Sequence, residues 1–331
     1  RWYSIPNVFR YERPQKGRLR EHWQLNADMF GIPDIWADIE IVSLAHRIMK
    51  NFGAEEKDFI IKVNHRRLME AVISDALKIS GKSAKTTARL LDKKEKVGTK
   101  EFEEEAKLLT GERYGLFSAL VKSKNLREFL SLLPESVSKG QPAGELAKLM
   151  DDLEKAGIGN IVFDQTLMRG FDYYTGVIFE VFSSDPEDRR SIFGGGRYDD
   201  LLDIFGAEKA PAVGFGMGDV TIADFLQKNS LAPEYRSPTD LYIGALGEEY
   251  LALSSSIASS LRQSGLNVLV NANGKPQEHI KKAEKLSIPY VAFIGETEAK
   301  RKEFMVKELK SGQEHRCFED ALSQVKTIIR R

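Results

Sequence analysis

The 331-residue sequence contains a single cysteine, Cys317. One thiol excludes an intramolecular disulfide and any cysteine-based zinc site, and such sparing use fits a reducing compartment. No apolar run reaches membrane-spanning length, and the opening RWYSIPN lacks the apolar core of a signal peptide. These absences predict a cytoplasmic protein with no membrane contact. Net charge is missing as well, because Lys plus Arg (49) equal Asp plus Glu (49). Any nucleic-acid contact must therefore use local basic patches and not a global positive field. Neither His22 nor His65 has a metal-ligand neighbour at useful spacing, so both read as structural side chains and no metal-ligating residues are expected.

The length predicts two or three domains. The most informative stretch is 8–30, VFRYERPQKGRLREHWQLNADMF. Alternate side chains of a strand face opposite ways, so Arg10 and Glu12 share one side, and His22, Gln24, Asn26 and Asp28 share one face of the return strand. Trp23, Leu25, Ala27 and Met29 form the opposite face, which can pack on a core. Solvent faces usually carry Lys, Glu and Thr, whereas Arg10, Glu12, Gln24 and Asp28 orient ligands through directed hydrogen bonds. Arg13, Lys16, Arg18 and Arg20 crowd the turn beside Pro14 and Gly17, which suits a polyphosphate. A plain solvent face remains the competing reading of the hairpin.

Apolar residues at helical spacing predict a helix over 35–52 closed by Gly53, then a strand with Phe59, Ile61 and Val63, then a helix capped by Asn64 and running through Leu77. The interval 79–159 is charged and helical, and reads as an inserted module whose charge runs are solvated faces. Strands return at 161–167 and 177–182. Two glycine-rich stretches follow, FGGGRYDDLL and AVGFGMGD. Glycines inside strands let a ligand lie against the backbone, so the pair suggests a shared pocket floor, to which Gly216 contributes. A dinucleotide-binding turn is a poor match, since Gly214, Gly216 and Gly218 alternate along a strand. After a linker at 233–238, strands at 241–246, 268–271 and 290–294 alternate with helices at 248–264 and 276–286. That order predicts a small parallel-sheet α/β domain ending in a helix at 319–330.

The hairpin FRYERPQKGRLREHWQLNADMFG resembles motif 2 of class II aminoacyl-tRNA synthetases. LMRGFDYYTGVIFE resembles the histidine-specific motif of the histidyl-tRNA synthetase family, and GGGRYDDLL with AVGFGMGD resembles its second histidine signature running into motif 3. The C-terminal unit is similar to the anticodon-binding domain that these enzymes share. The resemblance implies an α+β fold: a class II antiparallel-sheet catalytic domain over 1–78 and 160–232, the helical insertion over 79–159, and a small α/β anticodon-binding domain over 238–331. It implies a homodimeric histidine–tRNA ligase that uses ATP with Mg²⁺, forms histidyl-adenylate and transfers histidine to the histidine tRNA.

By the same resemblance, Arg10 binds the ATP α-phosphate, Arg18 reaches the outer phosphates, and Glu12 meets the adenine. Gln24 and Asp28 hold the α-amino group of histidine. Arg169 lies beside the histidine carboxylate and the α-phosphate, and Tyr173, Tyr174 and Tyr198 line the imidazole pocket. A carboxylate attacking a phosphate needs two anions held together by cations, and a ring-specific pocket needs partners for both ring nitrogens.

Two features depart from the family pattern. The motif 3 arginine position is Thr221, so either another arginine, Arg18 or Arg20, clamps ATP or nucleotide affinity is reduced. Motif 1, which lies upstream of motif 2 and builds the dimer interface, is missing, so the chain reads as a fragment whose own activity and dimerisation do not follow from the parent's. The rival expectation is a catalytically inactive ATP phosphoribosyltransferase regulatory subunit that senses histidine. Retention of Arg10, Arg169 and the 238–331 unit favours the ligase, while Thr221 leans toward the rival.

Overall fold

The computed structural model describes residues 1–11, 19–94, 97–168, 173–188, 190–233, 235–272, 274–319 and 322–329. It divides into two compact units, Arg1–Ala232 and Pro233–Arg331.

The first unit opens with β1 (Trp2–Ser4), β2 (Asn7–Phe9) and β3 (Glu21–Phe30). Both short strands pair antiparallel with β3, and the Arg10 N–H donates to the Arg20 carbonyl at 2.7 Å, continuing the hairpin toward its turn. Helix α1 (Trp36–Asn51) buries Ile41, Val42, Ala45 and Met49 and is ended by Gly53, whose φ of 91° favours a residue without Cβ.

Next come β4 (Phe59–His65) and α2 (Arg66–Ala71), followed by a π-type turn over Val72–Ala76. The cap is not the expected Asn64. His65 Nδ1 accepts the Leu68 N–H at 3.4 Å, which leaves Asn64 within the strand. Helices α3 (Gly81–Lys93), α4 (Thr99–Thr110), α5 (Tyr114–Lys122), α6 (Leu126–Ser131), α7 (Glu135–Ser138) and α8 (Gln141–Lys155) fill the helical interval. Their buried residues join the same apolar core as the sheet, and α8 packs on α1 and β4.

The sheet is completed by β5 (Ile161–Phe163), β6 (Val177–Ser183), β7 (Ser191–Arg197) and β8 (Ala212–Gly218), which runs straight into α9 (Asp219–Lys228). Gly218 thus sits at a strand-to-helix junction as well as in the alternating glycine pattern. The order is β1-β3-β8-β7-β6-β4-β5, antiparallel except for the parallel β4/β5 pair. On one face the cross-strand row Ala27, Phe215, Gly195, Phe179 and Val63 meets the core with α1 and α9. Trp23, expected on that core face, is more than half exposed, because β8 ends opposite Gln24 and covers nothing beyond it.

The second unit contains β9 (Leu241–Ala245), α10 (Leu251–Gln263), β10 (Val268–Ala272), α11 (Pro276–Lys285), β11 (Tyr290–Ile294), α12 (Glu296–Arg301), β12 (Glu303–Glu308), β13 (Glu314–Phe318) and α13 (Ser323–Ile329). Strands β10, β9 and β11 are parallel as their order predicts, but β12 and β13 extend the sheet antiparallel, so it is mixed. The sequence order predicts neither strand, because Glu303, Lys307, Glu308, Glu314 and Arg316 give them a charged, loop-like composition. Helix α10 packs against Leu241 and Ile243 on one face, and α11 brings Ala283 to Tyr242 and Val291 on the other.

Cys317, on β13, is fully buried, and burial pushes its thiol up to about 11. We therefore expect a thiol-specific reagent at pH 8 to label the native chain at least about a hundredfold more slowly than the denatured chain, the factor matching an opening free energy of about 3 kcal/mol. Equal rates would place the thiol at the surface.

Candidate active site

The side of the large sheet away from its core carries two cross-strand rows. One runs Asp28, Gly214, Gly196, Ile178, Asn64, and the other runs Asn26, Gly216, Gly194, Glu180, Lys62. Glycines on β7 and β8 therefore clear a strip between Asn26 and Asp28 of β3 and Ile178 and Glu180 of β6, about 14 Å across at ordinary strand spacing. The strip is closely fitted. A Cβ on Gly196 would lie 2.6 Å from the Val177 carbonyl, and one on Gly216 would lie 2.7 Å from Gln24 Nε2. A Cβ on Gly214 would press into the Asp28 carboxylate. Gly195 belongs to the other face, where a Cβ would sit 2.6 Å from Phe215 Cα.

At the β3 border, Gln24 Nε2 donates to Asn26 Oδ1 at 2.5 Å, and Asn26 Nδ2 donates to Ser4 Oγ at 3.4 Å. The Tyr198 hydroxyl donates to Asp28 Oδ1. Its ring lies 5.8 Å from that of Tyr173, which in turn meets Tyr174 edge to face at 4.9 Å. Three expected pocket tyrosines and one expected carboxylate thus form a single cluster. Arg10 also acts on this cluster: its positive charge lowers the Tyr173 hydroxyl, against the larger upward push of burial.

Burial raises the Asp28 carboxyl above the ordinary carboxylate range, opposed by the Tyr198 hydrogen bond. Burial also raises Tyr174 and Tyr198 far above the phenolic range. Tyr173 adds to the rise at Tyr174, and Asp28 adds to it at Tyr198. Both phenols therefore stay neutral, Tyr198 with its proton given to Asp28 in the hydrogen bond.

Arg197, which follows the glycines of β7, turns to the core face. Its guanidinium is buried against Asp38 of α1, with Nε 3.1 and 3.0 Å from the two carboxylate oxygens. Burial raises the Asp38 carboxyl and Arg197 opposes it, while the hydrogen bonds to Asp38 raise the guanidinium against its own burial. Thr221 is also engaged structurally. Its hydroxyl donates to the Ile192 carbonyl at 2.6 Å, pinning the first turn of α9 to β7. Arg20 lies over the Tyr11 ring at 5.7 Å. Glu12, Arg18 and Arg169 lie outside the described residues, as do Arg13, Lys16 and the other turn residues of the hairpin.

A further set of polar residues braces the segment that precedes position 169. Asn64 Nδ2 donates to the Leu167 carbonyl at 3.0 Å, and Gln165 Nε2 donates to the Val121 and Ser123 carbonyls at 2.8 and 3.3 Å, so the last carbonyls of α5 hold this loop. Lys62 pairs with Asp164 at 2.8 Å. The available signal was polar residues, Asn64 and Gln165, set among apolar neighbours. Asp38 gives a similar signal as an acid on the apolar stripe of α1.

The sequence model described as Histidyl-tRNA synthetase matches residues 1–220, and one described as Anticodon binding domain matches 240–329. The chain is 36% identical to histidine–tRNA ligase of Leptospira biflexa over 98% of its own length and 75% of that protein. It is 31% identical to histidine–tRNA ligase of Pyrococcus furiosus, over 95% of this chain and 74% of the relative. Its fold matches the crystal structure of histidyl-tRNA synthetase from Nostoc sp. PCC 7120 with a TM-score of 0.79 at 24% identity, over 98% of this chain and 77% of that one. An ATP phosphoribosyltransferase regulatory subunit/histidyl-tRNA synthetase structure from Bacillus halodurans matches with a TM-score of 0.69 at 23% identity, over 88% and 73%.

The raised Asp28 carboxyl gives a stability prediction of definite sign. The folded state holds this proton to a higher pH than the unfolded chain, which titrates near pH 4, so stability falls as pH rises through that window. Asp28→Asn keeps an acceptor for Tyr198 and removes the buried charge. Its Tm at pH 7 is expected to equal or exceed that of the unaltered chain, with the difference shrinking toward pH 4; calorimetry showing a lower Tm at pH 7 would oppose this.

Proposed function

The chain belongs to the histidyl-tRNA synthetase family, and from that premise we propose that it activates histidine with ATP and transfers it to the histidine tRNA. The observation that carries the reading is the cluster of Tyr173, Tyr174, Tyr198 and Asp28 beside a side-chain-free strip and within the field of Arg10.

Neutral phenols offer hydrogen bonds to the two nitrogens of an imidazole, and a pocket built on such bonds rejects side chains that cannot make them. Ionised Asp28, with Gln24, takes the α-ammonium; the Tyr198–Asp28 contact sets the ammonium and ring subsites side by side, as the small size of histidine requires. The glycine strip gives the nucleotide access to the backbone, with Gly216 beneath it, Glu12 at the adenine and Arg18 at the outer phosphates.

Arg10 and Arg169 hold the histidine carboxylate against the ATP α-phosphate. One carboxylate oxygen forms a bond to that phosphorus as the bond to the bridging β-phosphate oxygen breaks, and diphosphate leaves. A ribose hydroxyl of the tRNA then attacks the activated carbonyl, and AMP departs. The protein's contribution is placement and cationic stabilisation of the charge that gathers at phosphorus. A magnesium ion carried by the ATP phosphates would neutralise part of their charge.

The domain assignment belongs to the same proposal: catalytic residues 1–78 and 160–232, the insertion 79–159, and the anticodon-binding 238–331. So does assembly as a homodimer. The regulatory-subunit reading draws on Thr221, whose hydroxyl is committed to Ile192 where the family pattern carries arginine.

Pyrophosphate exchange with each standard amino acid offered singly separates the readings. Histidine alone is expected to support exchange, and Arg169→Ala is expected to lower the rate by about a hundredfold to a thousandfold without changing Tm. Histidine binding with no exchange would select the regulatory reading, and exchange with several amino acids would overturn the histidine pocket.

A further inference from the structure

We propose that Arg197 is a positioning residue for histidine recognition, acting through its buried pair with Asp38 to fix Tyr198 against Asp28; this rests on the histidine reading of the pocket. Consecutive strand residues face opposite ways, so Arg197 points into the core at the end of β7 while Tyr198 points to the ligand face. Fixing the first therefore aims the second.

The fixing is thorough. Besides Asp38, the guanidinium donates through Nη1 to the Ile32 carbonyl at 3.1 Å and to Asp199 Oδ1 at 3.2 Å, and through Nη2 to the Asp34 carbonyl at 3.1 Å. Ile32 and Asp34 belong to the loop that leaves β3 immediately after Asp28, Met29 and Phe30. One side chain thereby ties the strand that carries Asp28, the helix α1 and the strand that leads into Tyr198.

The backbone closes the same knot. The Arg197 carbonyl accepts the Thr175 N–H at 2.8 Å, one residue beyond Tyr174, and the Tyr198 N–H donates to the Ala212 carbonyl at 2.7 Å. Gly176 provides the room: a Cβ there would lie 2.8 Å from Arg197 Cδ. All the segments bearing the pocket tyrosines and Asp28 thus meet at Arg197, which itself gives its donors to protein acceptors. A lysine supplies the charge but not the planar fork that spans Asp38 and two carbonyls.

The test uses the full chain with Arg197→Lys, Asp38→Asn, Tyr198→Phe and the double variant Arg197→Lys/Tyr198→Phe. Histidine binding without ATP is read by calorimetry, and KM for histidine and for ATP by pyrophosphate exchange. The expected result is a histidine KM raised at least tenfold in Arg197→Lys and Asp38→Asn, with the ATP KM within twofold of the parent. The double variant is expected to be no worse than Tyr198→Phe alone, because the arginine acts through the tyrosine.

Additive losses in the double variant, equal rises in both KM values, or an unchanged histidine KM would each overturn the proposal. Failure of both Arg197→Lys and Asp38→Asn to fold would overturn it too, since a purely structural role then suffices. If the unaltered chain neither binds histidine nor supports exchange, the histidine reading itself fails; if it does both and the variants match it, only the role of Arg197 falls.

Discussion

The candidate site depends on a steric constraint: β7 and β8 approach their neighbours over positions where no side chain fits. At Gly196 and Gly214 a Cβ would stand 2.6 Å from a carbonyl oxygen of the adjacent strand. Because side chains alternate, the same strands still bury Phe193, Phe215 and Met217 on the other face. The sheet can therefore be solid with apolar packing on one side and bare along a strip on the other. Asp28 and the tyrosines stand at the border of that strip, where polar groups are partly withdrawn from water but remain reachable. Their raised ionisation follows from the same arrangement.

Polar side chains then fasten the surroundings to this floor from below and from the side. Arg197 reaches down to α1, His65 Nε2 meets Glu145 of α8 at 3.0 Å, and Lys62 holds Asp164. Since His65 Nδ1 accepts a backbone N–H, Nε2 carries the proton given to Glu145, and this contact lowers the Glu145 carboxyl. Breaking one member of such a buried set strands its partner, which is far more damaging than never having built the set. The arrangement is accordingly specific in geometry even where its net energy is small.

Much of this was legible in the residues. The alternation of 21–30 marked Gln24 and Asp28, and the spacing of glycines in AVGFGMGD gave the floor its period. Apolar spacing located α1 within a residue at each end. Three kinds of feature were not legible. Arg197 sits in a signature beside Tyr198, and only strand register tells which of the two faces inward. Strands β12 and β13 carry charges on their exposed positions that resemble a loop until pairing with β11 supplies the reason for them. The brace at Asn64 and Gln165 joins residues about a hundred and about forty positions apart in the chain, a distance that no local pattern encodes.

That brace changes what the helical segment is. Val121 and Ser123 close α5 with carbonyl groups that lack partners inside the helix, and Gln165 supplies them from the loop after β5. Shortening or exchanging the segment would strip acceptors from a buried glutamine on the far side of the boundary. Its helices are therefore masonry of the glycine-lined floor, and a chain that remodels them inherits the task of re-anchoring the loop at Gln165.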